Sequence, residues 1–508
     1  MSRTKDSIRN IFSGVFNKII ILIFPFLIRT VIIKELGTEY LGLSSLFTSI
    51  LQVLNLTELG FSSAIIFSLY KPIIENDENK ICALMNFYKK IYRIIGFIIL
   101  VIGLILLPFL PKLINGSYPN EINLYTLYLL YLFNTVITYY LFAYKSALLN
   151  AMQRNDIINN VNTITIIIQY AFQLIILYCT KNYYIYIVIN ILMNIVNNLV
   201  IAYITQKKYP QYISKGELSK NDKNNIKKRV YGLMIQKICA TTRNSFDSIF
   251  LSMFLGLNIV AIYNNYYTIM IAITGVLTII TSSIISSIGN SIATESIEKN
   301  YNDLKKINFI YMWISGWCTI CLLCLYQPFM EIWMGNEYMF PMGVVVCLCI
   351  YFYTLKIGDV LSAYTQATGI WWEGKYKAII EALTNIALNY ILGRYFGVYG
   401  IILATVISLL LIGFTYGTHI VFKNYFKGIS KREYYTEHIS YCLLTILISL
   451  ITFYMCKLIS ISGINGLIIK GIICIFIPNI LYFLCYFKTR NFKEAAVFVK
   501  NILKERKK

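Results

Sequence analysis

Stretches of about 20 predominantly apolar residues, separated by short polar connections, recur from one end of this 508-residue chain to the other. A stretch of that length crosses the roughly 30 Å hydrocarbon core of a bilayer as an α-helix. Within lipid the backbone must satisfy its own hydrogen bonds, which a helix does unaided. The pattern therefore predicts an all-α integral membrane protein with no soluble domain of useful size. Fourteen spans are expected, at residues 11–33, 42–69, 91–112, 122–145, 157–180, 183–206, 231–256, 261–292, 307–330, 342–365, 376–396, 400–422, 439–460 and 464–487. The first run continues to about Ile33 without a small-residue cleavage site, so it reads as a retained helix.

The connections fix an orientation. Arg3, Lys5 and Arg9 lead the chain, Lys71 to Arg93 make a basic loop, and a central linker carries eight cations between Lys207 and Arg229. The tail from Lys488 to Lys508 is equally basic, whereas alternate connections hold single charges such as Lys34, Lys112, Lys181 and Arg394. Positive-inside bias then places both termini in the cytoplasm. The net charge of +22 is spread over such loops, which argues against nucleic acid as a partner. The central linker suits anionic lipid headgroups or simple solvation. Cys318, Cys321 and Cys324 share an apolar run with no nearby His or Asp, so those thiols read as small hydrophobes and no metal site is expected. Two histidines in the whole chain argue against a catalytic zinc.

The chain also repeats itself. Lys18 and Lys237 stand 219 positions apart inside apolar runs, and so do Leu36-Gly37 and Leu255-Gly256. Arg154-Asn155 falls on Glu373-Gly374 at the same offset. Six spans return the chain to its starting side, so the halves have equal orientation, the parallel-repeat arrangement of some transporters. The expected organisation is a six-helix lobe at 1–206, a basic cytoplasmic linker at 207–230, a second six-helix lobe at 231–422, and two added helices with a basic tail at 423–508.

Leu36-Gly37, Tyr40-Leu41-Gly42 and Glu58-Leu59-Gly60-Phe61-Ser62-Ser63-Ala64 resemble the opening of Wzx-type polysaccharide flippases. Leu255-Gly256 with Val260-Ala261-Ile262-Tyr263, and Phe396-Gly397-Val398-Tyr399-Gly400 before Ala404-Thr405, are similar to later segments of that family. It belongs to the multidrug/oligosaccharidyl-lipid/polysaccharide exporter superfamily, with the MATE drug exporters and the lipid II flippases. The resemblance implies two lobes in a V around a central cavity and alternating access. It also implies a bacterial plasma-membrane setting and a polyprenyl-diphosphate-linked oligosaccharide flipped to the outer leaflet for cell-surface polysaccharide synthesis. Membrane lipids, a polysaccharide polymerase and other assembly proteins are the partners that fit it.

Ionisable groups within a span cost about 2.5–3.5 kcal/mol on insertion scales, so each is a functional candidate. Arg243 is the deepest, 14 residues after Arg229 and 13 before Gly256, about 20 Å from either end. A guanidinium there suits a diphosphate, while Asp247 one turn on offers local neutralisation. Gln236, Ala240, Arg243 and Asp247 share a helix face. Lys18 and Lys237 lie shallower, as a first contact for the diphosphate or as side chains reaching the interface. Arg29 either receives the diphosphate late or anchors the outer end of its helix. The acidic candidates are Glu58, Asp247, Asp359 and Glu381, of which Glu381 shares its face with Asn385 and Asn389. A buried carboxylate can carry a proton or hold Na⁺, or it can pair locally, as Lys377 with Glu381 and Lys356 with Asp359. The amides Asn162, Gln169, Gln173, Asn190, Asn194 and Asn197 either meet sugar hydroxyls or join helix to helix.

Lipid II is the alternative substrate. A MATE-like cation antiporter fits poorly with a first span that carries Lys18 and Arg29 and no acid. A membrane polymerase needs a sizeable outer loop, whereas 113–121 and 331–341 are about ten residues each. No Gly-x-x-x-x-Gly-Lys-Ser/Thr loop is present to bind ATP, and no cofactor is expected beyond an H⁺ or Na⁺ gradient.

Overall fold

The computed structural model describes residues 3–55, 61–142, 144–370 and 373–505, and the side chains of 231–240 and of some other helical residues also fall outside the described set. The described chain is helical apart from its turns and connections. It divides into two compact units, Met1–Ala261 and Ile262–Lys508.

The first unit contains α1 (Arg3–Glu35), α2 (Thr38–Leu54), α3 (Phe61–Ile74), α4 (Glu78–Leu106), α5 (Leu124–Tyr140), α6 (Tyr144–Ala151), α7 (Asn155–Thr180), α8 (Tyr183–Lys208) and α9 (Lys220–Leu255). Side chains placed just before the helices satisfy their first N–H groups. Asp77 accepts from Lys80 N–H, Asn123 from Thr126 N–H, Asn182 from Tyr184 and Ile185 N–H, and Ser219 from Asp222 N–H. Within the unit α1 lies along α7, α7 along α8, α4 along α5 and α2 along α9. The central linker is largely helical, because α8 runs through Lys208 and α9 begins at Lys220. What remains is pinned to α4 by Asn86, which donates to the Gly216 carbonyl at 2.8 Å, and the start of α9 is held there by Lys80 pairing with Asp222 at 3.3 Å. The Ser219 hydroxyl and then Lys80 hold the Asp222 carboxyl below its usual range.

One corner occurs twice. Gly37 (φ 112°, ψ 166°) joins α1 to α2, and Gly256 (φ 86°, ψ 174°) joins α9 to α10 (Leu257–Thr294), which continues into the second unit. Both angles fall where only glycine is comfortable. The two corners also meet, through a hydrogen bond from the Thr38 hydroxyl to Asn258. The repeat read at a 219-residue offset is therefore carried by backbone conformation as well as by residue type.

The second unit is organised on α11 (Ile297–Trp333), which packs against α12 (Met342–Ile357), α16 (Lys431–Lys457), α17 (Gly463–Tyr486) and α18 (Arg490–Glu505). Between them come α13 (Asp359–Thr368), α14 (Lys375–Ser408), a π-helical stretch at Leu409–Tyr416, and α15 (Gly417–Asn424). The run from 375 to 424 doubles back at Gly397, where φ is 57° inside an otherwise continuous helix. Asn385 consequently donates to the Thr405 hydroxyl at 3.0 Å. A Cβ on Gly400 would lie 1.9 Å from the Leu392 carbonyl oxygen, so the turn requires glycine there.

Among the described residues ten helical segments are long and apolar enough to cross a membrane, or eleven if α5 and α6, bent by 53°, form one span. The sequence leads one to expect fourteen, and the two counts differ at three places. The expected 42–69 span includes residues 56–60, which lie outside the described residues. The segment Lys375–Asn424 contains two antiparallel limbs but counts once. The expected 231–256 span includes 231–240, whose side chains lie outside the described residues.

Candidate functional site

Helix α1 brings a cation into a tyrosine-lined site in the first unit. Arg29 lies six residues before the end of α1, about 9 Å along the axis. It is half-buried, within electrostatic reach of Tyr186, Tyr170 and Tyr183 on α7 and α8. With Phe24 and Tyr40, these rings form an aromatic wall of two contacting groups. Tyr170 stacks on Phe24 at 4.9 Å, Tyr183 on Tyr186 at 5.3 Å, and Tyr40 meets Tyr183 edge-on at 5.2 Å. A hydroxyl chain continues from Tyr183 to Tyr131 and on to Ser44, each contact 2.9 Å long. Chemically, the set combines a permanent cation with stacking faces and hydroxyls, which suits an anionic group joined to a sugar.

Lys18 lies eleven residues earlier on nearly the same face of α1, about 16 Å from Arg29, and its side chain is exposed. Its neighbour Asn17 is buried, donating to the Thr163 hydroxyl at 2.8 Å and to the Asn159 carbonyl at 3.3 Å. The polar seam between α1 and α7 thus fixes the rotation of α1 and leaves Lys18 outside the packing. The Lys237 side chain and Glu58 fall outside the described residues.

Arg243 is half-buried and Asp247 is buried, and both interact with surrounding groups. Thr242, Ser245, Ser248 and Ser252 are buried around them, and the Ser245 hydroxyl donates to Gln52 of α2 at 3.2 Å. The middle of α9 therefore packs through small hydroxyls, which lets two helices approach closely. Of the stripe expected with Arg243, the Gln236 and Ala240 side chains are not described.

The acids of the second unit sit in two settings. Asp359 opens α13 and pairs with buried Lys356 at 2.9 Å, while Tyr311 donates to the same carboxylate oxygen at 2.6 Å. The local-pair reading is the one this geometry holds. Glu381 is buried on α14, with Lys377 at 4.0 Å, the outer limit of an ion pair. Its face continues through buried Asn385 and Asn389, joined at 3.3 Å, towards Thr405 and Ser408 on the returning limb. The π-helical stretch runs past Glu381 at Gly413. Oxygen donors from both limbs thus line one buried track.

Most amides of α7 and α8 join helices. Gln169 donates to Asn190 at 3.3 Å, Gln173 to the Tyr186 carbonyl at 3.2 Å, Thr165 to Asn197 at 3.1 Å, and Asn194 to Asn134 of α5 at 3.0 Å. Tyr131, Tyr170, Tyr183 and Tyr186 were missed by sequence reasoning. The signal available was the clustering of Tyr and Asn in spans four to six, beyond what interface anchoring requires.

Residues 7–285 match the family described as polysaccharide biosynthesis protein. No curated protein matches the chain. In structure the chain is similar to a lipid II flippase MurJ in an inward closed conformation, with TM-score 0.65 and 16% identity, covering 95% of this chain and 99% of that one. It is also similar to an inward-facing multidrug resistance MATE transporter, with TM-score 0.61 and 15% identity over 78% and 94% of the two chains. A third similar structure is a superfamily transporter from Pyrococcus furiosus described as having a binding pocket of reverse polarity, with TM-score 0.53 and 16% identity over 82% and 96%. At these identities the likeness is one of fold.

Proposed function

This chain belongs to the polysaccharide biosynthesis protein family, and from that membership we propose that it is a membrane transporter flipping a lipid-linked glycan by alternating access, not an enzyme. The observation that carries the reading is Arg29 in its tyrosine wall. A guanidinium can take diphosphate oxygens through two parallel N–H bonds, while tyrosine faces and hydroxyls suit the attached sugar.

The substrate in our reading is a polyprenyl-diphosphate-linked oligosaccharide, moved from the cytoplasmic to the outer leaflet of a bacterial plasma membrane. Lys18 and Lys237 serve as first contacts, Arg243 lies deeper on the path, and Arg29 receives the diphosphate towards the outer end. Glu381, with Asn385, Asn389 and Thr405, is the candidate H⁺ or Na⁺ coupling site, and Asp247 is a second candidate. Glu58 is a third candidate, and Asp359 is read as structural. We count fourteen crossings in two six-helix repeats with α16 and α17 added, both termini cytoplasmic. A polymerase and other assembly proteins are the expected partners.

Lipid II is the second reading, and the 95% overlay on the lipid II flippase favours it, because the match extends beyond the 78% shared with the drug exporter. Reconstitution with each lipid separately distinguishes the two. Selective flipping of the oligosaccharide lipid supports the first reading, and selective flipping of lipid II replaces it with the second. In either case Arg243→Ala is expected to abolish flipping while inserting normally. Full activity in that variant removes Arg243 from the path.

A further inference from the structure

Three thiols from three different helices converge in the second unit. Cys324 of α11, Cys456 of α16 and Cys474 of α17 are all buried, and their sulfur atoms lie within 4.8 Å of one another. The in-line Cys318-x-x-Cys321-x-x-Cys324 motif does not assemble this group; only its last member takes part. Among the described residues no imidazole or carboxylate belongs to it, and apolar side chains such as Ile320 and Ile448 share its core.

The position of Cys474 is fixed by a second feature. Residue 478 is proline, so the Cys474 carbonyl lacks the N–H that would normally bond it four residues on. Trp317 Nε1–H supplies a donor at 2.7 Å, and the Cys321 thiol lies 3.9 Å from the same oxygen. The strand of helix carrying Cys474 is therefore tied to α11 where Cys324 sits. Lys470, one turn before Cys474 and half-buried, lies within electrostatic reach of Cys456. An ammonium inside a span is costly unless something nearby is anionic.

We propose that Cys324, Cys456 and Cys474 form a trigonal thiolate site for copper(I), with Lys470 as its counter-charge. Metal–sulfur bonds of about 2.3 Å place three sulfurs around one ion about 4 Å apart, so closure needs shifts of a few tenths of an ångström. Soft sulfur donors select Cu(I) or zinc. Zinc in a closed structural site takes four ligands, and the cluster offers three. Binding exchanges three S–H protons for one Cu⁺ and releases the protons to solvent; no electron moves. The site then carries two negative charges, one of them offset by Lys470. Cys456 is one residue from the end of α16, which gives the ion a way in from the 458–462 connection.

The test titrates purified, reduced full-length protein with Cu(I) under argon against a competing chelator. One equivalent is expected, with an X-ray absorption shell of three sulfurs. Cys456→Ser and Cys474→Ser should each weaken it by on the order of a hundredfold or more, since outer-shell losses alone reach 10- to 100-fold. Lys470→Met should weaken it roughly tenfold, and Cys442→Ser, outside the cluster, should leave it unchanged. Equal binding in Cys456→Ser overturns the site, as does a shell of nitrogen or oxygen. A Cys456–Cys474 disulfide in freshly purified protein that takes up no copper also overturns it. If the serine variants do not fold, the absorption shell of the native protein decides the question alone.

Discussion

A half-buried arginine beside three tyrosines and a deep arginine on a serine-lined helix make different demands on a mutation. Arg29 has three tyrosines within electrostatic reach and no acidic group among them, so Arg29→Ala should leave the fold standing and remove one charge-assisted contact to the substrate. Such contacts contribute about 1.5–3 kcal/mol, which predicts a roughly 10- to 100-fold slower flipping rate in proteoliposomes. Arg29→Lys, which keeps the charge and loses the fork, should fall between the two. Equal rates for all three proteins would remove Arg29 from the path. Asp359 predicts the opposite balance. Asp359→Asn leaves buried Lys356 without its carboxylate, a loss on the order of 3 kcal/mol for a broken buried pair. The apparent melting temperature should drop and then recover in Lys356→Met/Asp359→Asn, with flipping retained. The sequence made both cations visible because charge in an apolar run stands out. It ranked Arg243 first on depth alone, since depth can be counted along one helix. The tyrosine wall was not legible, because an interface anchor and a site wall have the same composition. The cysteine cluster was hidden for a related reason: its members lie 132 and 18 positions apart in a chain where thiols read as packing.

Corners, more than helices, show how much of the fold the chain announces. Leu36-Gly37 and Leu255-Gly256 share a spacing in sequence and a backbone conformation in structure, so the repeat was readable from two dipeptides. Helix ends were less readable where polarity or bending intervenes. α9 was read as a span because its apolar core was visible, yet its polar content matches the hydroxyl-lined packing it makes on α2. The hairpin turns at Gly397, between the spans expected at 376–396 and 400–422. The paired corners also yield a comparison. Any side chain at either glycine adopts a conformation costing about 1–3 kcal/mol. At Gly37 a Cβ would meet nothing within 4 Å, whereas at Gly256 it would lie 2.7 Å from the Asn115 carbonyl oxygen. Gly256→Ala should therefore lower the apparent melting temperature more than Gly37→Ala. Equal shifts would mean that the Asn115 contact relaxes freely and only backbone strain counts.

At the scale of the whole molecule, the number of crossings decides where every candidate group stands relative to the two aqueous phases. Ten or eleven helices qualify by length and composition. The remaining crossings in our reading come from the second limb of the Gly397 hairpin, from α9, and from the α2–α3 segment. With fourteen, the tail beyond α18 and the connection between α8 and α9 share the cytoplasmic side, and the connection between α4 and α5 faces outwards. An odd number would put the tail outside, and the basic residues from Lys488 to Lys508 would then contradict the charge bias of every other loop. Single cysteines at exposed positions read this out, in a background whose native cysteines are replaced by serine or alanine. Ser117→Cys should react with a membrane-impermeant maleimide in intact cells, whereas Lys215→Cys and Lys508→Cys should react only after permeabilisation. Labelling of Lys508→Cys in intact cells, with Lys215→Cys still protected, would make the number of crossings after the linker odd. Glu381 and its oxygen-lined track are then the group to re-examine, because reversing one limb of that hairpin exchanges the phase from which a coupling ion would enter.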